Sequence, residues 1–319
     1  MTCSEAGHRA CSIGPAASLA LFIEGAALRV QSVFPATVNL EVDGAEWLVA
    51  LSGPAGVIHP HAVALQQSMD FSSWQLAAGD AADLSGASLR LRGQAGDVVV
   101  DLSQAQRPSS RPLPVVLLLR GAHRACVTRL AAIQQDAGCD LNIDALWHDD
   151  QSLTALGGDL RSASLALGSA AQVFARTPRH AFAAEAALAR LNQAVAALVG
   201  LGAGLTPTGD DFLCGFLAAV RASDPALMED REALVKALNA AVEGELPRTT
   251  RISAGLIRCA TRNLWSLPLV DLAEALAGDH PQEAQRAMDE LCRLGHSSGS
   301  DIATGFLFGL ECLALEART

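Results

Sequence analysis

The sequence has no excess of positive charge. Its 319 residues contain 23 lysines and arginines against 34 aspartates and glutamates, which gives a net charge of −11 at pH 7. Domains that bind nucleic acids through the phosphate backbone usually carry clustered lysine and arginine. We therefore expect no nucleic-acid partner.

Long apolar runs are also missing near the start of the sequence. The longest one there, residues 15–23, lies between Glu5 and Glu24, whereas a membrane-spanning helix needs ~20 apolar residues. The run also lacks the strongly basic leader of a secretory signal peptide. We therefore predict a cytoplasmic protein that has no membrane partner.

The eight cysteines lack the close spacing of zinc sites and disulfide frameworks, because no pair stands in a C-x-x-C arrangement. They are scattered over the whole chain, at positions 3, 11, 126, 139, 214, 259, 292 and 312. We interpret them as reduced and mostly buried thiols, and we assign none of them a nucleophilic role.

The first third of the sequence contains short runs that have the composition of strands. They span residues 28–34, 37–42, 47–51, 87–91 and 98–102, and pairs such as Asp43-Gly44 separate them. Short runs bounded by Gly, Pro and Asp are typical of a small antiparallel sheet or barrel. The proline-rich stretch 103–114 then indicates a linker, so we predict a β-rich domain at residues 1–110.

Beyond this linker, apolar residues recur at helical spacing. Examples are Leu188, Leu191, Val195 and Leu198, then Leu234, Leu238 and Val242, then Ala284, Ala287, Met288, Leu291 and Leu294. Pro281 is suited to the first position of the last helix, and Gly295 to a left-handed stop. The run 115–119 fits either a buried strand or a helix start, and both alternatives stay open. We predict an α+β chain whose residues 111–319 form a mainly α-helical domain.

The most informative pattern is an internal repeat. Residues 207–217, PTGDDFLCGFL, align without gaps with residues 297–307, SSGSDIATGFL. Each copy contains a hydroxyl residue and a glycine, then an aspartate two residues later, and each ends in Gly-Phe-Leu. Apolar residues continue at helical spacing after each aspartate, so each copy is predicted to be the start of a helix.

Helix starts offer free backbone N–H groups and the positive end of the helix dipole, which can hold a phosphate or a carboxylate. Asp211 and Asp301 have two alternatives at these positions. They can cap their helices, or they can ligate a hard cation such as Mg²⁺ that in turn holds a phosphate. A purely structural alternative is that Gly215 and Gly305 let two helices pack closely. No other cofactor is indicated.

Three glycines at alternate positions, 200, 202 and 204, precede the first copy. A G-x-G pattern also occurs in dinucleotide-binding folds, but there it follows a strand within a β-α-β unit. Here the glycines follow an alanine-rich helical segment, so we reject a dinucleotide site. We expect them to let the backbone approach a ligand closely.

Two further features lie between and beside the repeat copies. The segment 246–253, LPRTTRIS, offers cationic and hydroxyl groups that suit anion binding before a helix, or else a helix cap with solvated arginines. His296 lies in the loop before the second copy. It is a candidate acid, base or hydrogen-bond donor near neutral pH, with a structural role as the alternative.

These residues together resemble a known family. The strings 202–215, GAGLTPTGDDFLCG, and 295–301, GHSSGSD, with Thr249, Thr250 and Ser253 between them, are similar to the signature of the AllH-type family. That family is associated with oxamate carbamoyltransferase. The resemblance implies one subunit of a multi-subunit enzyme that interconverts oxalurate and phosphate with oxamate and carbamoyl phosphate in anaerobic allantoin breakdown.

Carbamoyl transfer needs a cradle for phosphate, a donor that polarises the carbamoyl oxygen and a cation for the acceptor carboxylate. For substrate and phosphate binding we predict Gly204, Thr206, Thr208, Gly209, Arg248, Thr249, Thr250, Arg251, Ser253, Ser297, Ser298 and Gly299. For catalysis we predict Asp210, Asp211, Asp301 and His296, with Asp211 and Asp301 also as candidate Mg²⁺ ligands. The expected partners are the other subunits and small anionic substrates.

Two other functions stay open at this point. In the first, the chain is a scaffold or regulatory subunit whose glycine-rich junctions pack against a catalytic partner. In the second, the paired aspartates at helix starts belong to a magnesium-dependent hydrolase. Inactivity with full partner binding would favour the scaffold, and hydrolysis by the isolated chain with bound metal would favour the hydrolase.

Overall fold

A computed structural model describes residues 7–54, 59–117, 119–148, 153–178, 183–227 and 230–314 of the chain. The chain divides into two compact units. The first comprises the residues up to Arg111 together with Leu264–Leu267, and the second comprises Pro112–Asn263 and Pro268–Thr319.

The first unit is a closed eight-stranded barrel. Its strands follow one another around the barrel in the order β1-β5-β4-β3-β2-β6-β7-β8. Six of the eight neighbouring pairs are antiparallel, while β1 runs parallel to β8 and β4 runs parallel to β5. The strands are β1 (Gly7–Ile13), β2 (Leu28–Phe34), β3 (Thr37–Val42), β4 (Val49–Ser52), β5 (Ala62–Leu65), β6 (Ala81–Ser85), β7 (Ser88–Gly93) and β8 (Gly96–Asp101).

Two short helical elements accompany the barrel, α1 (Pro15–Leu21) and a 3₁₀ turn at Phe71–Trp74. Apolar side chains from all parts of the barrel fill its interior, as in other small barrels. Val38, Leu40, Leu51, Leu89 and Val100 are each 0 % exposed. The alternating side chains of the strands therefore supply the barrel core.

The five strands predicted from the sequence are all present. β2 and β3 have the predicted bounds, and the other three, β4, β7 and β8, differ from the predicted runs by one or two residues at each end. β1, β5 and β6 were not predicted. β5 has only four residues, all buried, so it shows neither the length nor the alternation by which a strand is recognised in a sequence.

The second unit is helical, which confirms the predicted α+β class. Its helices are α2 (Gly121–Ala137), α3 (Ile143–Trp147), α4 (Ala155–Arg176), α5 (Ala184–Leu198), α6 (Thr208–Ala222), α7 (Arg231–Glu245), α8 (Arg251–Thr261), α9 (Leu267–Ala277), α10 (Pro281–Cys292) and α11 (Ser298–Ala314). Short 3₁₀ turns lie at Pro225–Leu227 and Leu246–Arg248. None of the helices in the described ranges has both the length and the apolar character needed to cross a membrane.

The ends of α10 agree with the prediction, because Pro281 lies in its first turn and Gly295 has a left-handed φ of +58° just beyond it. The described residues of 115–119 form neither of the two predicted alternatives, a buried strand or the start of a helix. Val116 forms a single parallel bridge to Ser223, and α2 begins only at Gly121. Leu118 lies outside the described residues.

Helices α6 and α11 form the centre of the helical unit. Nearly every residue of both is buried, including the glycines and the aspartates of their first turns. A helix that is buried on all sides must be covered by neighbours all around it, and α2, α4, α5, α8 and α10 each pack against one or both of them. The two copies of the sequence repeat thus occupy the core of this unit.

Candidate functional site

The two copies of the repeat have the same local structure. α6 begins at Thr208 and α11 at Ser298, which confirms that each copy starts a helix. In each copy the glycine after the hydroxyl residue donates its N–H back to the preceding loop, Gly209 to the Leu201 carbonyl at 2.8 Å and Gly299 to the Leu294 carbonyl at 3.0 Å. The repeat is therefore a pair of equivalent helix-loop-helix units, α5-α6 and α10-α11.

The second glycine of each copy lets α6 and α11 touch through their backbones. A Cβ at Gly215 would overlap the Ile302 carbonyl oxygen, and a Cβ at Gly305 would overlap that of Phe212. Phe212 and Ile302 occupy equivalent positions of the repeat, so the contact is reciprocal. This close packing, one of the alternatives from the sequence, brings the starts of the two helices together.

Asp211 and Asp301 are the buried acids of this junction. Each residue is 1 % exposed. Within the described ranges, Asp211 Oδ2 and both carboxyl oxygens of Asp301 have no hydrogen-bond partner. Buried polar atoms are rarely left without a partner in folded proteins. An acceptor pair of this kind therefore suits a ligand that brings N–H or O–H donors, or a cation.

Burial raises the pKa of Asp211 well above its ordinary value, and the neighbouring Asp301 raises it further, while the hydroxyls of Ser298 and Thr206 partly offset this rise. Burial also raises the pKa of Asp301, to about 7. The hydroxyls of Ser297 and Thr208 partly offset this rise in the pKa of Asp301, although neither has the geometry of a regular hydrogen bond to it. The pair can therefore hold or release a proton near neutral pH.

Neither acid is the N-cap of its helix. The N-cap residue of α6 is Pro207, which makes no side-chain cap hydrogen bond. Asp211 and Asp301 each lie three residues after the first residue of their helix. The capping alternative from the sequence is therefore wrong for both residues.

Asp210 differs from its neighbour Asp211, because its carboxylate is fully engaged. Oδ1 accepts a hydrogen bond from the Gly200 N–H at 2.8 Å. Oδ2 accepts from Ser253 Oγ at 2.6 Å and also from Thr249 Oγ1. This buried carboxylate thus ties α6 to the glycine-rich loop and to the start of α8, so its geometry is that of an anchor.

Replacing Ser253 by alanine should destabilise the protein by about 1.5–3 kcal/mol, because it removes a hydrogen bond to a buried carboxylate. Urea unfolding would measure this loss. The matched control is Ser162→Ala on the exposed face of α4, where the hydroxyl only donates to the Gly158 carbonyl; it should change stability by less than ~0.5 kcal/mol. Equal effects of the two substitutions would contradict the anchoring role of Asp210.

The glycine-rich loop 200–207 connects the starts of three helices. Gly200, Gly202 and Gly204 all have positive φ, from +77° to +126°, which favours glycine. Thr206 Oγ1 lies 2.8 Å from Ser298 Oγ of α11, and Thr250 Oγ1, before α8, donates to the Leu205 carbonyl. The three segments singled out in the sequence, 204–211, 246–253 and 295–301, are therefore neighbours in space.

Several predicted binding residues are exposed or are engaged by other groups, unlike the buried acid pair. Arg248 donates to Glu245 Oε2 at 2.8 Å and to the Ala196 carbonyl at 2.7 Å. Arg251 and His296 are exposed, as is Gly204. Thr250 caps α8 by accepting the Ser253 N–H. The cap alternative for segment 246–253 thus describes its structure, while the anion-binding roles of these residues stay predictions.

The described residues contain no group of three or more His, Cys, Asp and Glu side chains that would suit a metal ion. A Mg²⁺ ion needs about six oxygen ligands but often keeps several waters. Asp211 and Asp301 with the nearby hydroxyls of Thr208 and Ser298 would supply part of such a shell. Their role as Mg²⁺ ligands stays a prediction.

Gln134 of α2 supports the second junction and was not predicted from the sequence. Its Nε2 donates to Thr304 Oγ1 at 2.8 Å and to the Leu141 carbonyl at 3.0 Å, and its Oε1 accepts the Ile143 N–H at 2.8 Å. Gln134 is 1 % exposed. A single buried glutamine in an otherwise ordinary helix carries no sequence signal, so only the structure reveals it.

Two family models match the chain. Residues 198–310 match a family described as oxamate carbamoyltransferase subunit AllH, and residues 9–107 match the N-terminal domain of the AllH family. The first match contains both copies of the repeat and the α8 start, and the second covers most of the barrel. No solved structure matches the chain.

Proposed function

The chain belongs to the AllH family, and on this premise we propose that it is a subunit of an oxamate carbamoyltransferase that acts in ureide catabolism. We further propose that its α6-α11 junction takes part in the transfer of the carbamoyl group. The observation that carries this proposal is the pair of buried carboxyl groups, Asp211 and Asp301, which lie inside the matched segment. Oδ2 of Asp211 and both carboxyl oxygens of Asp301 have no hydrogen-bond partner among the described residues.

The reaction proposed is the transfer of a carbamoyl group from carbamoyl phosphate to the amide nitrogen of oxamate. A bond forms between that nitrogen and the carbamoyl carbon, and the bond from the carbamoyl carbon to the phosphate oxygen breaks. The products are oxalurate and phosphate. An amide nitrogen is a weak nucleophile, so it must lose a proton as it attacks, and a general base is needed at that atom.

The acid pair suits this proton transfer. A catalytic base works best when its pKa lies near the operating pH, and the pKa of Asp301 is raised to about 7. Asp211 is its neighbour, and burial together with the Asp301 charge keeps the pKa of Asp211 high as well. We propose that the ionised member of the pair accepts the proton from the acceptor nitrogen. In the reverse direction the protonated member returns it.

The anionic parts of the substrates need positive groups or N–H donors. The amides of Gly209 and Gly299 donate to loop carbonyls, and Arg248 is paired with Glu245. The hydroxyls of Thr206 and Ser298, 2.8 Å apart beside the acid pair, are candidate donors to the substrate. We propose that partner subunits complete the anion-binding part of the site, as the subunit description of the family suggests.

Access to the pair requires a local movement of the protein, since both acids are 1 % exposed. The start of the loop 200–207 is anchored by Asp210 through the Gly200 N–H, whereas the side-chain contacts of its later part come from Thr206 and from Thr250. Its three glycines tolerate backbone conformations that other residues resist. We propose that the loop opens to admit the acceptor and closes over it.

Thermal unfolding of the chain with and without ligand tests the proposal. Carbamoyl phosphate or oxamate at about a hundred times its dissociation constant should add ~2.7 kcal/mol of stability. Asp211→Asn should remove that gain, whereas Asp159→Asn on the exposed side of α4 should keep it. A wild-type chain that responds to neither ligand, alone or with its partner subunits, would contradict a transfer site here and favour a scaffold role.

A further inference from the structure

A second candidate site lies at the opposite end of α6 from the acid pair. It is a cavity of about 170 Å³ whose wall includes Arg221, Arg231, Glu232 and Asn263, with Leu113 and Val235 as apolar lining. Arg221 lies in the last turn of α6, ten residues after Asp211. Ten residues of α-helix span ~15 Å, so this cavity is separate from the junction of α6 and α11.

The two arginines of this cavity are fixed by neutral groups. Arg221 Nη2 donates to the Thr261 carbonyl at 3.0 Å. Arg231 Nη1 donates to the Ser223 carbonyl at 3.1 Å and to the Arg221 carbonyl at 3.4 Å. Carbonyl acceptors hold a guanidinium in place but leave its positive charge uncompensated. Each guanidinium also has five N–H donors, more than these bonds use.

Carboxylates do little to neutralise this charge. Among the described residues none lies within 4 Å of Arg221, and Arg231 has only Glu232, at 3.6 Å. The Glu232 side chain is 65 % exposed, so water screens its charge strongly. Elsewhere in this unit, Arg129 and Arg258 each contact an acid within 3.0 Å. Burial lowers the pKa of Arg221 and the Arg231 charge lowers it further, while the Glu232 charge partly offsets this shift.

We propose that this cavity binds a small oxyanion, a phosphate or a carboxylate, between the Arg221 and Arg231 guanidiniums. Two guanidiniums that face one cavity provide the forked N–H donors that such oxygens accept. The volume lies below the ~300 Å³ at which pockets for drug-sized ligands begin, so the ligand is small. Leu113 and Val235 would contact a short apolar portion of it.

Isothermal titration of the full chain with inorganic phosphate, and separately with acetate, tests this proposal. Arg231→Gln should weaken binding by tenfold or more, because charged hydrogen bonds are lost. Glu232→Gln should tighten binding several-fold, because it removes the one acid among the described residues of the wall. The control is Arg293→Gln, an exposed arginine that pairs with Glu290 on α10, and it should leave affinity unchanged.

Arg231→Gln and Glu232→Gln, both on α7, are predicted to change the affinity for the anion in opposite directions. Loss of folding therefore cannot explain both results. Tighter binding by the Glu232→Gln chain together with weaker binding by the Arg231→Gln chain would support the site. Preference for phosphate over acetate, or the reverse, would identify the oxyanion. Equal affinities in Arg231→Gln and Arg293→Gln, or no binding of either anion to the wild-type chain, would overturn the proposal.

Discussion

Replacing Asp301 by asparagine should lower the rate of carbamoyl transfer by about 100-fold or more, the size of contribution that a positioned general base usually makes. Asparagine keeps the shape of the side chain but cannot accept the proton of the acceptor nitrogen. The rate of oxalurate formation by the complex, assembled with its partner subunits, measures this. The Asp159→Asn chain should retain the wild-type rate.

The same substitution should make the protein more stable above neutral pH. An aspartate of the unfolded chain ionises near its ordinary pKa of 3.8, whereas in the folded protein the pKa of Asp301 is about 7. The folded state therefore binds the proton more tightly. As pH rises from about 4 to above 7 the wild-type protein loses stability through this residue, and an asparagine has no charge to bury.

The expected gain for Asp301→Asn is on the order of 2–4 kcal/mol at pH 8 and close to zero at pH 4. Urea unfolding at the two pH values measures it. Burial lowers the pKa of His123 to about 4 and raises that of Glu311 to about 7. These groups also change stability with pH, but they do so in both proteins and cancel in the difference. An asparagine variant that is less stable at pH 8 would contradict the buried, uncompensated charge.

Gly305→Ala should destabilise the helical unit by about 3 kcal/mol or more. The new Cβ would overlap the Phe212 carbonyl oxygen and lie 2.8 Å from its carbonyl carbon, a separation that real Cβ atoms essentially never show. Because the obstacle is backbone within a buried helix, α6 and α11 must move apart, and overpacking of this kind is costly. The shift would also separate Asp211 from Asp301.

Gly244→Ala on α7 is the matched control, because a Cβ there meets nothing within 4 Å. Alanine is the better helix former, so this change should stabilise the protein by roughly 0.5–1 kcal/mol. Guanidinium unfolding of both variants provides the comparison. If Gly305→Ala unfolds at the same denaturant concentration as Gly244→Ala, the close contact between the two helices is not a requirement of the fold.

The repeat made the helical centre predictable from the sequence. Its glycines and aspartates recur at fixed positions before apolar residues at helical spacing, and such local patterns determine where a helix starts. Both predicted helix starts therefore agree with the structure. The hairpin strands β2 and β3 were also predictable, because their apolar residues alternate over six or seven residues.

Other features depend on contacts between distant parts of the chain. Asp210 and Asp211 are adjacent and identical in type, but one helix position turns a side chain by ~100°. One carboxylate therefore meets Thr249 and Ser253, and the other meets the α11 junction. The sequence could not show which of the two is engaged.

The predicted role of Arg248 shows the same limit. Its charge and its position before a helix suggested anion binding. Its side chain instead donates hydrogen bonds to Glu245 and to the Ala196 carbonyl. Gln134 donates a hydrogen bond to Thr304, which lies 170 residues later in the sequence. No pattern of local residue spacing predicts a contact between such distant positions. Local patterns thus identified the helix starts that carry the candidate residues, while the partners of each side chain followed only from the tertiary structure.

The most direct test of the central claim, that the Asp211–Asp301 pair exchanges the proton of the acceptor nitrogen, is the pH dependence of carbamoyl transfer in both directions. With the wild-type chain in the assembled complex, oxalurate formation should rise with pH through about 7, because the pKa of Asp301 is about 7 and its ionised form is the base. Oxalurate phosphorolysis should fall over the same range, and Asp301→Asn should abolish both inflections. Slopes of the same sign in the two directions, or a profile that Asp301→Asn leaves unchanged, would contradict the claim.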